Sequence, residues 1–196
     1  MKKYNAKATS VLFWLQESRI TAQYIVNGTS KKDIVLLSKN ENIYNAISDD
    51  RKRKIANTTF NRVSNLPEDL INELATCNVD EAKIIVLLAI MLSDSLFHDF
   101  MIEVYRDHMI TGINTIKSTD VQGFIEGKKE LYESARKISE ASVRKLGSTY
   151  IKYLYEAGVV EDLKKGNMIK PYIDYKLEEL LVKNKLKDFI RILTGE

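Results

Sequence analysis

The chain has 196 residues, 44% of them hydrophobic and 29% charged, and carries a net charge of +3. This is globular composition and excludes a wholly disordered chain. Eight Gly and two Pro are too few for a sandwich or barrel, which needs turn residues about every 8–12 positions, so the chain reads as all-α with short loops. A single cysteine, Cys77, excludes an intramolecular disulfide framework and suits a reducing, cytoplasmic setting.

The start of the chain has a basic tip but only a short apolar run, Val11 to Leu15, less than a secretory signal requires. Ser10 is predicted to cap a first helix that runs to Asn27 and stops at Gly28. Ser30 caps a second, with Ile34 and Leu37 facing inward. Ser48, with Asp49 and Asp50 in the first turn, starts a third that runs to Asn65, and Pro67 opens a fourth. Asp80 caps an apolar helix containing Ile84 to Leu92. Nine apolar residues fall short of the roughly 20 that a membrane span needs, so this reads as a central buried helix. Asp94 marks either a break or a continuation.

After Gly112 come a short helix at Thr119 and Asp120, then helices over 127–138 and 139–157. Gly166-Asn167 is expected to turn a small hairpin between Val159–Leu163 and Met168–Ile169, before a last helix over 174–193. Two regions follow from this. Residues 1–78 hold a helix-turn-helix-like element, and residues 79–196 hold the central helix and a winged helix-turn-helix, the two forming one compact unit.

Charge is unevenly spread. Residues 1–78 carry 12 Lys/Arg against 8 Asp/Glu, residues 79–110 carry 2 against 6, and residues 111–196 carry 16 against 13. Basic flanks of this kind suit phosphate, but they are also common on solvated helix faces. On a helical wheel over 143–157, Val143, Leu146, Tyr150, Leu154 and Ala157 share one face. Arg144, Lys145, Ser148, Thr149 and Lys152 share the other. Helix, turn, helix and hairpin in this order match a winged helix-turn-helix, whose second helix enters the major groove, with Lys164 and Lys165 on the wing. In the third helix Arg51, Lys54, Asn57, Thr58, Asn61 and Arg62 form a second candidate DNA-binding face, with Asn suited to adenine and Arg to guanine or phosphate.

The tyrosines Tyr150, Tyr153 and Tyr155 are candidates for base stacking, although core positions are the commoner use of such residues. The sequence holds no Gly-rich phosphate loop, paired-Cys zinc site or nucleophile elbow, so neither an enzyme nor a cofactor is expected. Asp94 and His98, four residues apart, lack a third ligand at a characteristic spacing, and no metal is expected.

Taken together, KKDIVLLSKNENIYNAIS, DRKRKIANTTFNRVSNLPEDL, HDFMIEVYRDHM, SEASVRKLGSTYIKYLYEAGVVED and IKPYIDYKLEELL resemble, in that order, the BrxA family of bacteriophage-exclusion (BREX) defence systems. The chain departs from the family in reading SARKISEASVRKL ahead of the last recognition helix, without a tryptophan or Ser-x-Thr pattern. The resemblance implies an all-helical, monomeric cytoplasmic protein with two helix-turn-helix elements flanked by positive surface. It implies duplex DNA as partner, other BREX proteins besides, and no catalytic residues. A protein scaffold and an RNA-binding bundle are the competing readings.

Overall fold

A computed structural model describes residues 3–196, and its packing divides the chain into two units, Trp14–Ser93 and residues 3–13 with Asp94–Glu196. The division falls at 93/94 rather than at 78/79. The apolar helix packs on the helices that precede it, and so belongs with them.

In the unit Trp14–Ser93, five helices follow one another: α1 (Leu15–Val26), α2 (Lys31–Glu41), α3 (Asp49–Val63), α4 (Glu68–Thr76) and α5 (Val79–Ser93). Helix α1 packs on α3, α4 and α5, and α2 packs on α3. The first helix begins four residues later than a cap at Ser10 suggests. Lys7–Ser10 is a single 3-10 turn, Val11 is extended, and Trp14 enters α1 at φ 56° with its side chain buried. Ser30 and Ser48 cap as expected, accepting the N–H groups of Asp33 and Arg51. Asn78, not Asp80, caps α5, its Oδ1 accepting from both Asp80 and Glu81 at 3.0 Å. Helix α5 is apolar on every side and buried from Ala82 to Met91 apart from Lys83, the pattern of a core helix. Among the described residues no single helix is long and apolar enough to cross a membrane.

The second unit opens with a break. Asp94 accepts from Leu96 and Phe97 and starts α6 (Ser95–Phe100), which widens into a π turn over Met101–Tyr105 and resumes as α7 (Arg106–Thr111). Gly112 ends it in the left-handed conformation. Then come α8 (Ser118–Leu131), the single turn α9 (Glu133–Arg136), α10 (Glu140–Glu156), α11 (Tyr175–Lys183) and α12 (Lys187–Thr194).

Residues 119–131 thus form one helix, not two. Val121, Ile125 and Lys128 bury a continuous stripe, which holds Gly127 helical. The predicted last helix is broken at 184–186, where Lys185 turns at φ 60° and Leu186 N–H closes on the Leu181 carbonyl at 2.8 Å. An aromatic cluster fills this core, with Phe97 4.8 Å from Tyr150 and 5.6 Å from Tyr153, and Phe100 5.8 Å from Phe124. The N-terminal segment is tied into it by Tyr4 Oη to Asp99 (2.7 Å) and Tyr153 Oη to the Val11 carbonyl (2.8 Å).

Among the described residues no strand forms. Two isolated antiparallel bridges, Thr115 with Asn167 and Val160 with Met168, place residues 166–169 between 114–116 and 159–161. The two-residue turn expected at Gly166-Asn167 is absent. Asn167 is already paired, its carbonyl accepting from Glu161 N–H at 2.9 Å, and the reversal is made by residues 162–166.

Candidate nucleic-acid interface

Helix α3 presents a narrower basic face than its composition suggests. The i,i+3 acids of its first turn occupy two of the four clustered cations, Asp49 binding Lys52 at 3.0 Å and Asp50 binding Arg53 at 3.1 Å. The bond and charge of Lys52 hold the Asp49 carboxyl below the usual carboxylate range. Arg51 and Lys54 remain exposed and form no ion pair among the described residues. They share a strip with half-buried Thr58 and with exposed Asn61, whose Oδ1 accepts from Lys31 at 2.7 Å. Asn57 flanks the strip, its amide donating to the Arg53 carbonyl at 2.8 Å.

Arg62 does not belong to this face, for it is only 6% exposed. It lies seven residues after Ile55, which brings it within about 20° of that buried side chain on the wheel. Helices α1, α2 and α5 all pack against α3.

Helix α10 is better organised for contact. Ser139 caps it, accepting from Ser142 N–H at 3.3 Å. On the inner side, Val143, Leu146, Gly147, Tyr150, Ile151 and Leu154 are buried against the core. Gly147 marks the crossing with α8, since a Cβ there would lie 2.9 Å from the Ser118 carbonyl oxygen. Lys129 joins the same two helices, reaching Glu126 at 3.0 Å and Glu140 at 2.7 Å. That contact lowers the Glu140 carboxyl and raises the Lys129 ammonium.

On the outer side, Arg144, Lys145, Ser148 and Lys152 are exposed together, and Thr149 is half-buried with its hydroxyl donating to the Lys145 carbonyl at 2.8 Å. Lys152 has one loose partner, Glu156 at 3.8 Å. Of the three tyrosines, Tyr150 and Tyr153 are core, while Tyr155 is 43% exposed. Tyr155 follows Ser148 by seven residues and Lys152 by three, so it extends this outer strip. That spacing is the sequence signal that assigns it there.

Helix α10 ends at Glu156, Gly158 turns in the left-handed conformation, and the chain passes into the 161–167 loop, where Lys164 and Lys165 are exposed. The acidic segment before it holds no metal constellation: among the described residues no three His, Cys, Asp or Glu side chains converge. Asp94 caps α6, His98 Nδ1 lies 3.3 Å from Asp99, and His108 Nδ1 lies 3.0 Å from the Thr115 carbonyl.

The family model BrxA matches residues 2–185. The chain is 33% identical over 127 residues to the BREX protein BrxA of Bacillus cereus (strain H3081.97), a match covering 65% of this chain and 63% of that protein. It therefore spans less than two thirds of that relative's length. It is 23% identical over 181 residues to the BREX protein BrxA of Escherichia coli O9:H4 (strain HS), covering 92% of this chain and 85% of that one. In fold it is similar to the crystal structure of an uncharacterized protein from Magnetospirillum magneticum, with a TM-score of 0.83 at 18% identity over the whole of both chains. A family match that extends from residue 2 to the end of α11 includes both basic helices, and the chain belongs to the BrxA family.

Proposed function

We propose that this BrxA protein is a non-enzymatic, DNA-binding accessory component of a BREX phage-defence system, acting as a cytoplasmic monomer alongside other BREX proteins. The observation that carries the reading is the outer strip of α10. Arg144, Lys145, Ser148 and Lys152 face solvent together, while the other side of the same helix is fixed in the core. Arg and Lys there neutralise phosphates or bond guanine edges, and Ser148 and Thr149 offer hydroxyls to either.

The order around α10 supports a winged helix-turn-helix. Residues 114–116 precede α8, α10 follows it, and residues 166–169 return between 114–116 and 159–161 through two isolated antiparallel bridges. The α2–α3 pair supplies a second, smaller basic face through Arg51, Lys54, Asn57, Thr58 and Asn61. A scaffold reading draws on the exposed tyrosines Tyr172, ahead of α11, and Tyr175, its first residue.

Titration of the purified chain against fluorescent duplex DNA, duplex RNA and single strands at several salt concentrations tests the proposal. Duplex DNA is expected to bind tightest, with log affinity falling linearly with log salt. Equal or tighter binding to RNA, or no binding at low salt, overturns it.

A further inference from the structure

The loop after α10 is held on both sides by hydrogen bonds to its backbone. Asp162 Oδ1 accepts from the backbone N–H groups of Lys164 at 2.6 Å and Lys165 at 3.0 Å, and the Asp162 carbonyl accepts from Gly166 N–H at 2.7 Å. On the far side Gly166 turns at φ 73°, and its carbonyl accepts from Ile116 N–H at 2.9 Å. The tip between these anchors is Leu163, Lys164 and Lys165, with Leu163 50% exposed and both lysines exposed.

By charge alone Asp162 is misplaced, a carboxylate beside two lysines on a surface read as facing phosphate. The two N–H groups it accepts hold its carboxyl below the ordinary range, so it stays charged. Its geometry resolves the conflict, because the same oxygen that repels phosphate also fixes the backbone that carries the lysines. Building on the DNA reading above, we infer that Asp162 is a positioning residue that presents the Leu163–Lys165 tip to duplex DNA in one conformation. Fixing the tip beforehand removes part of the ordering cost of binding.

The experiment compares Asp162→Asn with Asp162→Ala in the full chain, using a fluorescent duplex at several salt concentrations. Both variants lose the negative charge, and only Asn keeps an acceptor oxygen for the two N–H groups. Asp162→Asn is expected to bind at least as tightly as the wild type. Asp162→Ala is expected to bind about 3–10-fold more weakly than Asp162→Asn, the factor that corresponds to ordering one or two side chains at the moment of binding. Its salt slope should move toward that of Lys164→Gln with Lys165→Gln, which is expected to fall by about 0.9 for each phosphate these lysines neutralise.

If Asp162→Ala lowers the unfolding midpoint, two glycines inserted between Lys164 and Lys165 loosen the tip and leave the charge unchanged, and weaker binding by that variant supports the inference equally. Equal affinity of Asp162→Asn and Asp162→Ala, or wild-type affinity of the glycine insertion, overturns it alone. Absence of duplex binding by the wild type overturns the DNA reading and takes this inference with it.

Discussion

At Gly166 the backbone runs at φ 73°, and a Cβ there would overlap the Ile116 carbonyl group. Gly166→Ala therefore meets both the left-handed backbone penalty and a clash with main chain that has no side-chain freedom to give way. It is expected to destabilise the protein by about 2 kcal/mol or more, read as a lower denaturant midpoint at unchanged m-value. An unchanged midpoint would show that the 114–116 segment moves aside freely. At this scale the sequence is legible wherever one residue acts on its neighbours. Ser30 and Ser48 cap as their types predict, and Gly28, expected to stop the first helix, follows it in the left-handed conformation. Arg62 defeats a reading by charge, which groups it with the basic run, while its seven-residue spacing from Ile55 already places it inward.

For α10 as an element, the two sides make opposite demands. Leu146 and Leu154 are fully buried, so Leu146→Ala is expected to cost about 2–5 kcal/mol and to reduce DNA binding only in proportion to unfolding. Arg144→Glu with Lys152→Glu is expected to leave helicity and midpoint nearly unchanged while weakening duplex binding. The reverse pattern, in thermal unfolding and titration of the same samples, would place the outer strip outside the interface.

The bond from Lys129 to Glu140 sets a pH dependence for the seat of this helix. The Glu140 carboxyl is lowered in the folded chain, so its contribution is present above its unfolded pKa and is lost as pH falls through the folded one. The Lys129 ammonium is raised, so its share is lost only as pH rises through the alkaline range. Glu140→Gln should lower the midpoint at neutral pH and converge with the wild type in acid, where both lack the ion pair. Parallel curves across the acid range would remove the pair from the stability account.

Element existence is largely readable from capping residues and apolar spacing. The π turn at Met101–Tyr105 and the break at Lys185 are not, because each depends on what the helix meets in three dimensions.

Across the whole molecule, the two basic faces lie in different units, Arg51 and Lys54 in one, Arg144, Lys145, Lys152, Lys164 and Lys165 in the other. A net charge of +3 makes total charge a weak attractant, so affinity depends on how many cations meet phosphates locally. On α3 that number is small, since Lys52 and Arg53 are already held by Asp49 and Asp50.

The α10 face and its loop are therefore expected to account for most of the salt dependence, with α3 contributing the remainder. Each phosphate that is no longer neutralised reduces the slope of log affinity against log salt by about 0.9. Arg144→Glu with Lys152→Glu should flatten the slope by the share of about two phosphates, and Arg51→Glu with Lys54→Glu by no more than that. If both faces engage duplex together, the four-fold variant shows the sum of the two slope changes, because substitutions that share no partner add. A slope that the α3 pair leaves untouched would reassign Arg51 and Lys54 to solvated surface and confine DNA contact to the unit that carries α10. A slope that only the α3 pair changes would move the interface to the other unit and reassign the outer strip of α10 to solvated surface.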